Sequence, residues 1–393
     1  MHFILLTDYY HPIVKSSSII VGDLVDELVS QGHNITVITF DDNQRIRYRR
    51  SHEGRLQIIR IKSISRKYGR IGRLWAEVNY SRKIIKSIKS LTILKKNQCN
   101  GIICYSPSIF YGSAVNWLKK NYNSSSYLIM RDIFPRWALE AGLLSDGLLY
   151  RYFKFIERNL YRSSNIIGIE AKSDLEYFKN YGLEESVKIE VLNNWGSTSI
   201  QISNFSNNPL DSKKINLVYG GNMGDAQDLL SLVNIIDFSI LGERAHLFLI
   251  GSGNQFDKIK NTILRKNLLN VTLLPSVDRK TYLSMMSKAD IGIVSLNNKM
   301  SSNNYPLKMI GYMQLSKPIL ASVNKNNEII SMIQENNIGF ASQANDKIRF
   351  NNNLDKILSD EALRKKQGEN SLKLFNEQFT VEVASSQIIK NFK

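Results

Sequence analysis

The stretch MHFILLTDYYHPIVKSSSIIVGDLVDELVSQGHNITVITF, residues 1–40, reads as strand, loop, helix and strand. Phe3 to Thr7 is a short apolar run that ends in polar and aromatic residues. Ile19, Ile20, Leu24, Leu28 and Val29 then recur at the spacing of one helical face. Gly32 follows Gln31, where a left-handed cap stops a helix. Ile35 to Phe40 is again strand-like. A βαβ opening implies a parallel sheet, and it places the functional loop, Asp8 to Ser18, at the carboxyl end of the first strand.

The same alternation continues outward from this unit. Ile58–Ile61, Gly101–Tyr105, Tyr127–Met130, Ile166–Ile169 and Val187–Leu192 are short apolar runs, with helical patterns over Tyr150–Arg162 and Leu175–Tyr181. Residues 198–213 are rich in Ser, Asn and Asp, lack apolar periodicity, and read as a linker. The βα pattern then restarts with strands Asn216–Tyr219, His246–Ile250, Val271–Leu274, Ile291–Ser295 and Pro318–Val323, and ends in a helical stretch from Glu361. Two α/β halves are expected, with a ligand cleft between them.

The chain of 393 residues carries a net charge of +17. Between Asp41 and Lys96 there are seventeen basic residues and four acids, so most of the excess lies in this one block. Such a block suits a polyanionic partner (a lipid headgroup surface, a diphosphate or nucleic acid) or a merely solvated face. From Ile71, apolar residues at Leu74, Trp75, Val78, Ile85 and Ile88 alternate with Arg and Lys. That pattern fits either a basic helix lying in a membrane interface or an ordinary helix packed on the core. No apolar run is long enough to span a bilayer, and no basic n-region precedes the first strand, so no signal peptide is expected. Cys99 and Cys104 read as small buried hydrophobes in a reducing compartment.

Two stretches carry the chemistry. Tyr219-Gly220-Gly221-Asn222-Met223-Gly224 ends a strand and opens a helix, where glycines let backbone approach a ligand. Tyr305-Pro306-Leu307-Lys308 opens another helix, whose free amides and lysine suit a diphosphate. Taken alone, each is also compatible with a tight turn or a core helix. No D-x-D occurs, and the five histidines show no ligand spacing, so neither metal nor cofactor is expected. There is no P-loop and no G-x-S-x-G.

In order along the chain, these pieces resemble the retaining glycosyltransferases of family 4. Thr7 to Pro12 with Gln31-Gly32-His33 is similar to the start of that family's acceptor domain, and Ile189 to Trp195 to its interdomain segment. Asp132-Ile133-Phe134-Pro135, Gly221-Asn222-Met223-Gly224 with Ala226-Gln227, and Pro306 to Met313 resemble a branch that builds bacterial surface polysaccharides, including N-acetylfucosaminyl transferases. The resemblance implies the GT-B fold, two Rossmann-like domains facing a cleft: 1–197 for the acceptor, 198–213 as linker, 214–375 for the donor, and 376–393 as a helix crossing back. It also implies transfer of a sugar, an N-acetylated hexosamine or 6-deoxyhexosamine, from a UDP-sugar with retention to a polyprenyl-diphosphate-linked saccharide in O-antigen or capsule synthesis. The expected location is the inner face of the cytoplasmic membrane, with the basic region 41–96 on the anionic surface.

On this resemblance His11, Asp132 and Asn303 are the catalytic candidates. Gly221, Asn222, Gly224, Gln227, Gly251, Gly253, Tyr305, Leu307, Lys308 and Glu328 would hold the donor, and Tyr10, Lys15 and Ser16 the acceptor. The family's paired glutamates fall on Asn303 and Gly311, and its first-loop glycine pair on Lys15-Ser16-Ser17. Glu328 also reads as a simple helix-start carboxylate. Three other functions are weighed beside transfer: a UDP-sugar epimerase of the same architecture, a non-catalytic relative, and a nucleic-acid-binding protein. The last fits poorly, because the basic block contains no recognisable binding module.

Overall fold

The structure, a computed structural model, describes residues 1–392 except 14, 43–44, 64–68, 92–97, 141, 180, 184–186, 200–201, 203–207, 211–212 and 300–304. The chain divides into two units, Met1–Asn193 with Val381–Lys393, and Asn194–Thr380.

In the first unit the opening stretch forms β1 (His2–Leu6), α1 (Ser16–Ser30) and β2 (Asn34–Asp41). Then follow β3 (Tyr48–Glu53), β4 (Leu56–Lys62), α2 (Gly69–Val78), α3 (Tyr80–Leu91), β5 (Gly101–Tyr105), α4 (Gly112–Tyr122) and β6 (Ser125–Ile129). The run ends with α5 (Arg136–Glu140), α6 (Leu148–Ser163), β7 (Ile166–Ile169), α7 (Asp174–Lys179) and β8 (Lys188–Val191). The sheet order is β3-β4-β2-β1-β5-β6-β7-β8, with β3 alone antiparallel, against β4. Leu5 of β1 pairs with Val37 on one side and Ile103 on the other. Phe3 to Leu6 are wholly buried, as a central parallel strand covered on both faces requires.

The second unit runs β9 (Ile215–Asn222), α8 (Leu229–Ile235), β10 (Ala245–Ser252), α9 (Phe256–Arg265), β11 (Val271–Leu274), α10 (Arg279–Ser287) and β12 (Ile291–Ser295). It continues with α11 (Leu307–Gln314), β13 (Ile319–Val323), α12 (Glu328–Glu335), β14 (Gly339–Gln343), α13 (Lys347–Ser359) and α14 (Glu361–Gln378). Its sheet is all parallel, ordered β11-β10-β9-β12-β13-β14. Alternate residues feed two cores: Val218, Phe248 and Ile250 on one face, Leu217, Tyr219, Leu247 and Leu249 on the other. The chain returns to the first unit as α15 (Val381–Ile389), which packs on α1; Gln31 Nε2 donates to Ser385 Oγ at 3.0 Å.

Several expectations shift. The division between units falls at Asn193/Asn194, ahead of residues 198–213. Within those residues Leu210 is buried in the second core, and Asn216 Nδ2 donates to its carbonyl at 3.0 Å, so this end of the stretch is not a free linker. β9 and β10 are longer than their apolar cores, so Gly220–Asn222 pair with Ile250–Ser252 as strand residues, not loop. The single basic helix expected from Ile71 to Ile88 is two helices, α2 and α3. In α3 the apolar stripe of Tyr80, Ile84 and Ile88 is buried in the first core, which contradicts its insertion into a membrane. Trp75, 62 % exposed, and Val78 remain outside on α2. Arg66 and Lys67 lie outside the described residues.

Candidate functional site

In the second unit the chain runs from β9 through β10 to β11 on one side, then crosses back to place β12 on the other side of β9. The loops after β9 and β12 therefore diverge, and this reversal of strand order is where open α/β sheets leave a crevice at their carboxyl edge. The first loop begins at Met223, and the second leads into α11. Pro306 caps α11 in extended conformation (φ −63°, ψ 134°), so the helix proper starts at Leu307. The Leu307 and Lys308 amides have no intrahelical acceptor, as at any helix start, and the helix dipole adds positive potential there.

Lys308 reaches back from that first turn over β9. Its Nζ lies 3.7 Å from the centre of the Tyr219 ring. A Cβ placed on Gly221 would come within 3.3 Å of the same nitrogen. The Nζ is buried and makes no hydrogen bond to any described residue, although an ammonium has three donors to satisfy. Desolvation by burial lowers its pKa from 10.5 to about 7. A buried amine with only a ring face beside it and no hydrogen-bond acceptor, next to free helix amides, is chemistry that suits an anion.

The residues around it are tied together. Tyr305 Oη donates to Glu328 Oε2 at 3.3 Å, linking the start of α11 to the first residue of α12. Glu328 is itself in the first turn of α12, capped by Asn327, so its position also suits the helix-start carboxylate. Asn222 Nδ2 donates to Gln227 Oε1 at 2.8 Å across Gly224. Gly251 and Gly253 face protein instead of open space: a Cβ on Gly251 would sit 1.8 Å from the Gly221 carbonyl, and one on Gly253 would sit 2.4 Å from that of Met223. These two glycines let the ends of β9 and β10 close on each other. Asn303 lies outside the described residues.

Two contributors were missed from sequence. Tyr219, read from sequence only as the strand end before the glycines, lies buried below Lys308, a contact set by how α11 meets β9. Asp225 anchors the loop after β9: it accepts from Asn254 Nδ2 at 2.6 Å, and its carbonyl accepts from Asn297 Nδ2 at 2.8 Å. Asp225 directly follows the Gly-rich motif, where a turn residue ahead of a helix could have flagged it.

In the first unit, β1 is flanked by β2 and β5, so the same reversal opens a crevice after β1. Tyr10, Lys15, Asp41, Asp42 and Arg60 line a recess there of about 410 Å³. Lys15, the N-cap of α1, lies 3.7 Å over the Tyr9 ring, and the Arg60 guanidinium donates to the His11 carbonyl. The His11 ring packs where a Cβ on Gly22 of α1 would stand. Ser16 is the exposed first residue of α1. Asp132 follows β6, two strands from β1, and is not among the residues lining this recess. Crowding by the surrounding protein raises the pKa of its carboxyl, with the neighbouring Arg131 opposing, while the residue as a whole is exposed. Arg131 in turn donates to the Leu192 and Asn193 carbonyls at 2.8 and 3.4 Å.

Residues 202–374 match the family described as glycosyl transferases group 1. WbjE of Pseudomonas aeruginosa, named a probable glycosyltransferase, is 24 % identical over 237 residues; the match covers 58 % of this chain and 59 % of that protein's length. Sucrose-phosphate synthase from Thermosynechococcus elongatus superposes with a TM-score of 0.73 at 15 % identity, covering 100 % of this chain and 98 % of that one. Anabaena HepE, in complex with UDP and glucose, does so with a TM-score of 0.66 at 12 % identity, covering 100 % and 99 %. The chain thus has the GT-B fold, and the stretch that matches the glycosyl transferases group 1 family lies wholly within its second unit.

Proposed function

We propose that the chain is a glycosyltransferase that moves a sugar from a UDP-sugar to a lipid-diphosphate-linked saccharide, with retention and without a metal. The donor is held by the second unit. The observation that carries this is Lys308: a buried ammonium without a hydrogen-bond partner among the described residues, beside the first-turn amides of α11. A pyrophosphate supplies the acceptors that this cation and these amides lack, and in the transfer the same groups stabilise the leaving diphosphate without a metal ion. HepE, with its bound UDP and glucose, supports a nucleotide-sugar as the ligand class. The recess of Tyr10, Lys15, Asp41, Asp42 and Arg60 on the first unit offers cations, carboxylates and aromatic faces suited to a phosphorylated saccharide. His11, Asp132 and Asn303 are the proposed catalytic groups. An N-acetylated hexosamine or 6-deoxyhexosamine donor, O-antigen or capsule as the product, and the inner face of the cytoplasmic membrane as the place of action complete the proposal.

The test is transfer from a panel of radiolabelled UDP-sugars to a polyprenyl-diphosphate-linked saccharide, with the anomeric configuration of the product read by NMR. A retained anomer formed in the presence of a chelator supports the proposal. Interconversion of the donor without acceptor would instead show an epimerase.

A further inference from the structure

The outer face of α6 is built against the usual rule for a surface helix. Phe153, Glu157, Leu160 and Tyr161 point into the first unit. On the opposite side Leu148 is 86 % exposed and Phe155 70 %, with Tyr152 also exposed between them. The spacing i, i+4, i+7 puts the three on one stripe. Arg151, Arg158 and Arg162, at i, i+7 and i+11, form the adjoining stripe, and all three are exposed. Leu143 and Leu149, both exposed, extend the apolar surface around the helix start.

We propose that this face seats the first unit on an anionic lipid bilayer, with Leu148, Tyr152 and Phe155 entering the headgroup boundary and the arginine stripe on lipid phosphates. An apolar stripe bordered by Arg is the arrangement of a helix lying in a membrane interface. Charge complementarity favours lipid over a second copy of a chain that itself carries +17. Exposed Arg82, Lys86 and Lys89 of α3 add to the same helical layer, since α4 packs against both α3 and α6. No described helix is long and apolar enough to cross a membrane, so the contact is a surface one.

Beside the arginine stripe lies a recess of about 820 Å³, lined by Arg136, Arg151, Lys154 and Arg158, with Asp146 and Glu176 also on its walls. Arg136 and Lys154 are engaged by Glu140 and Glu157 at 2.8 and 2.6 Å. Arg151 and Arg158 are the exposed cations of this wall that face a headgroup, Arg158 also donating to the Tyr181 carbonyl at 3.4 Å. The helix is also held rigid: wholly buried Glu157 accepts hydrogen bonds from Tyr161, Tyr177 and Tyr181 at 2.9, 2.9 and 2.8 Å, which fixes α6 to α7. The docking surface is thus preformed.

This proposal deepens, and rests on, the lipid-carried acceptor proposed above; donor binding is measured separately so that the two can fail independently. The full chain is sedimented with vesicles of phosphatidylglycerol and phosphatidylcholine, and with phosphatidylcholine alone, and each variant's melting temperature is checked. Binding to the anionic vesicles is expected, weakened by salt. Leu148→Ser with Phe155→Ser, and separately Arg151→Glu with Arg158→Glu, are each expected to lower partition about tenfold or more while UDP affinity stays unchanged. Wild-type partition in both folded double variants overturns the proposal. So does a wild-type dimer, seen in sedimentation velocity, that these variants dissociate while lipid binding is absent. Vesicle binding through α6 in a chain that fails to bind UDP would sink the donor assignment and leave the docking surface standing.

Discussion

Lys308 is where a single side chain carries most of the functional argument. Burial holds its pKa at about 7, against 10.5 for an ordinary lysine. A bound diphosphate stabilises the ammonium and raises that pKa, so the free protein has lost the proton above about pH 7 while the complex keeps it. Nucleoside diphosphate affinity is therefore predicted to be greatest below pH 7 and to fall as pH rises from there toward 10.5. Titration near pH 8 in buffers of different ionisation enthalpy should show close to one proton taken up per UDP bound; no uptake would mean that Lys308 does not meet the phosphates. The sign for folding is opposite. The unfolded chain binds more protons in this window, so this lysine's contribution to stability improves as pH rises from 7 to 10.5. Glu157 shows the converse case of a buried charge with its partners in place. Glu157→Ala removes the carboxylate that pairs with Lys154 and accepts from three tyrosine hydroxyls, and a loss of about 3–5 kcal/mol is predicted by urea unfolding.

At the scale of elements, α11 is the one whose composition argues with its conformation. Gly311 lies in its middle, and a Cβ there would meet nothing within 4 Å. Packing does not require the glycine, so Gly311→Ala is predicted to stabilise the protein by about 0.5–1 kcal/mol, read as a higher melting temperature. Elements were legible in the sequence where burial alone set the pattern. Gly101–Tyr105, Ile166–Ile169, Val271–Leu274 and Ile291–Ser295 are strands with the very limits their apolar runs suggested. β3, Tyr48-Arg49-Arg50-Ser51-His52-Glu53, was not legible, because it is an edge strand made by its backbone pairing with β4 and contains no aliphatic residue. The basic amphipathic pattern after Ile71 was visible, but its partner was not: periodicity shows that a helix has an apolar face and is silent on whether core or lipid covers it. The site was legible to the same extent. Pro306 and Lys308 announced a helix start with a cation, whereas the Tyr219 ring beneath that cation depends on α11 meeting β9, a tertiary fact.

For the whole molecule, the chain crosses between units twice, and the last crossing is structural for the first unit. Val381, Ala384, Ile388 and Ile389 are buried, the Phe392 ring lies 5.2 Å from that of Phe3, and Gln387 Nε2 donates to the Val191 carbonyl at 2.7 Å. Removing Val381–Lys393 is predicted to speed amide hydrogen exchange in β1 and β2 while leaving β9 and β12 protected. Equal loss of protection in both sheets would mean that the units do not unfold separately. The central claim, that the second unit grips a pyrophosphate through Lys308, is tested most directly by calorimetric titration of UDP into wild-type protein and Lys308→Met. Methionine keeps the unbranched stem and removes the desolvated charge, so the variant should fold at least as well. Losing one charge-assisted contact should weaken UDP binding about tenfold to a hundredfold. UDP affinity equal to wild type in the folded variant would contradict the account.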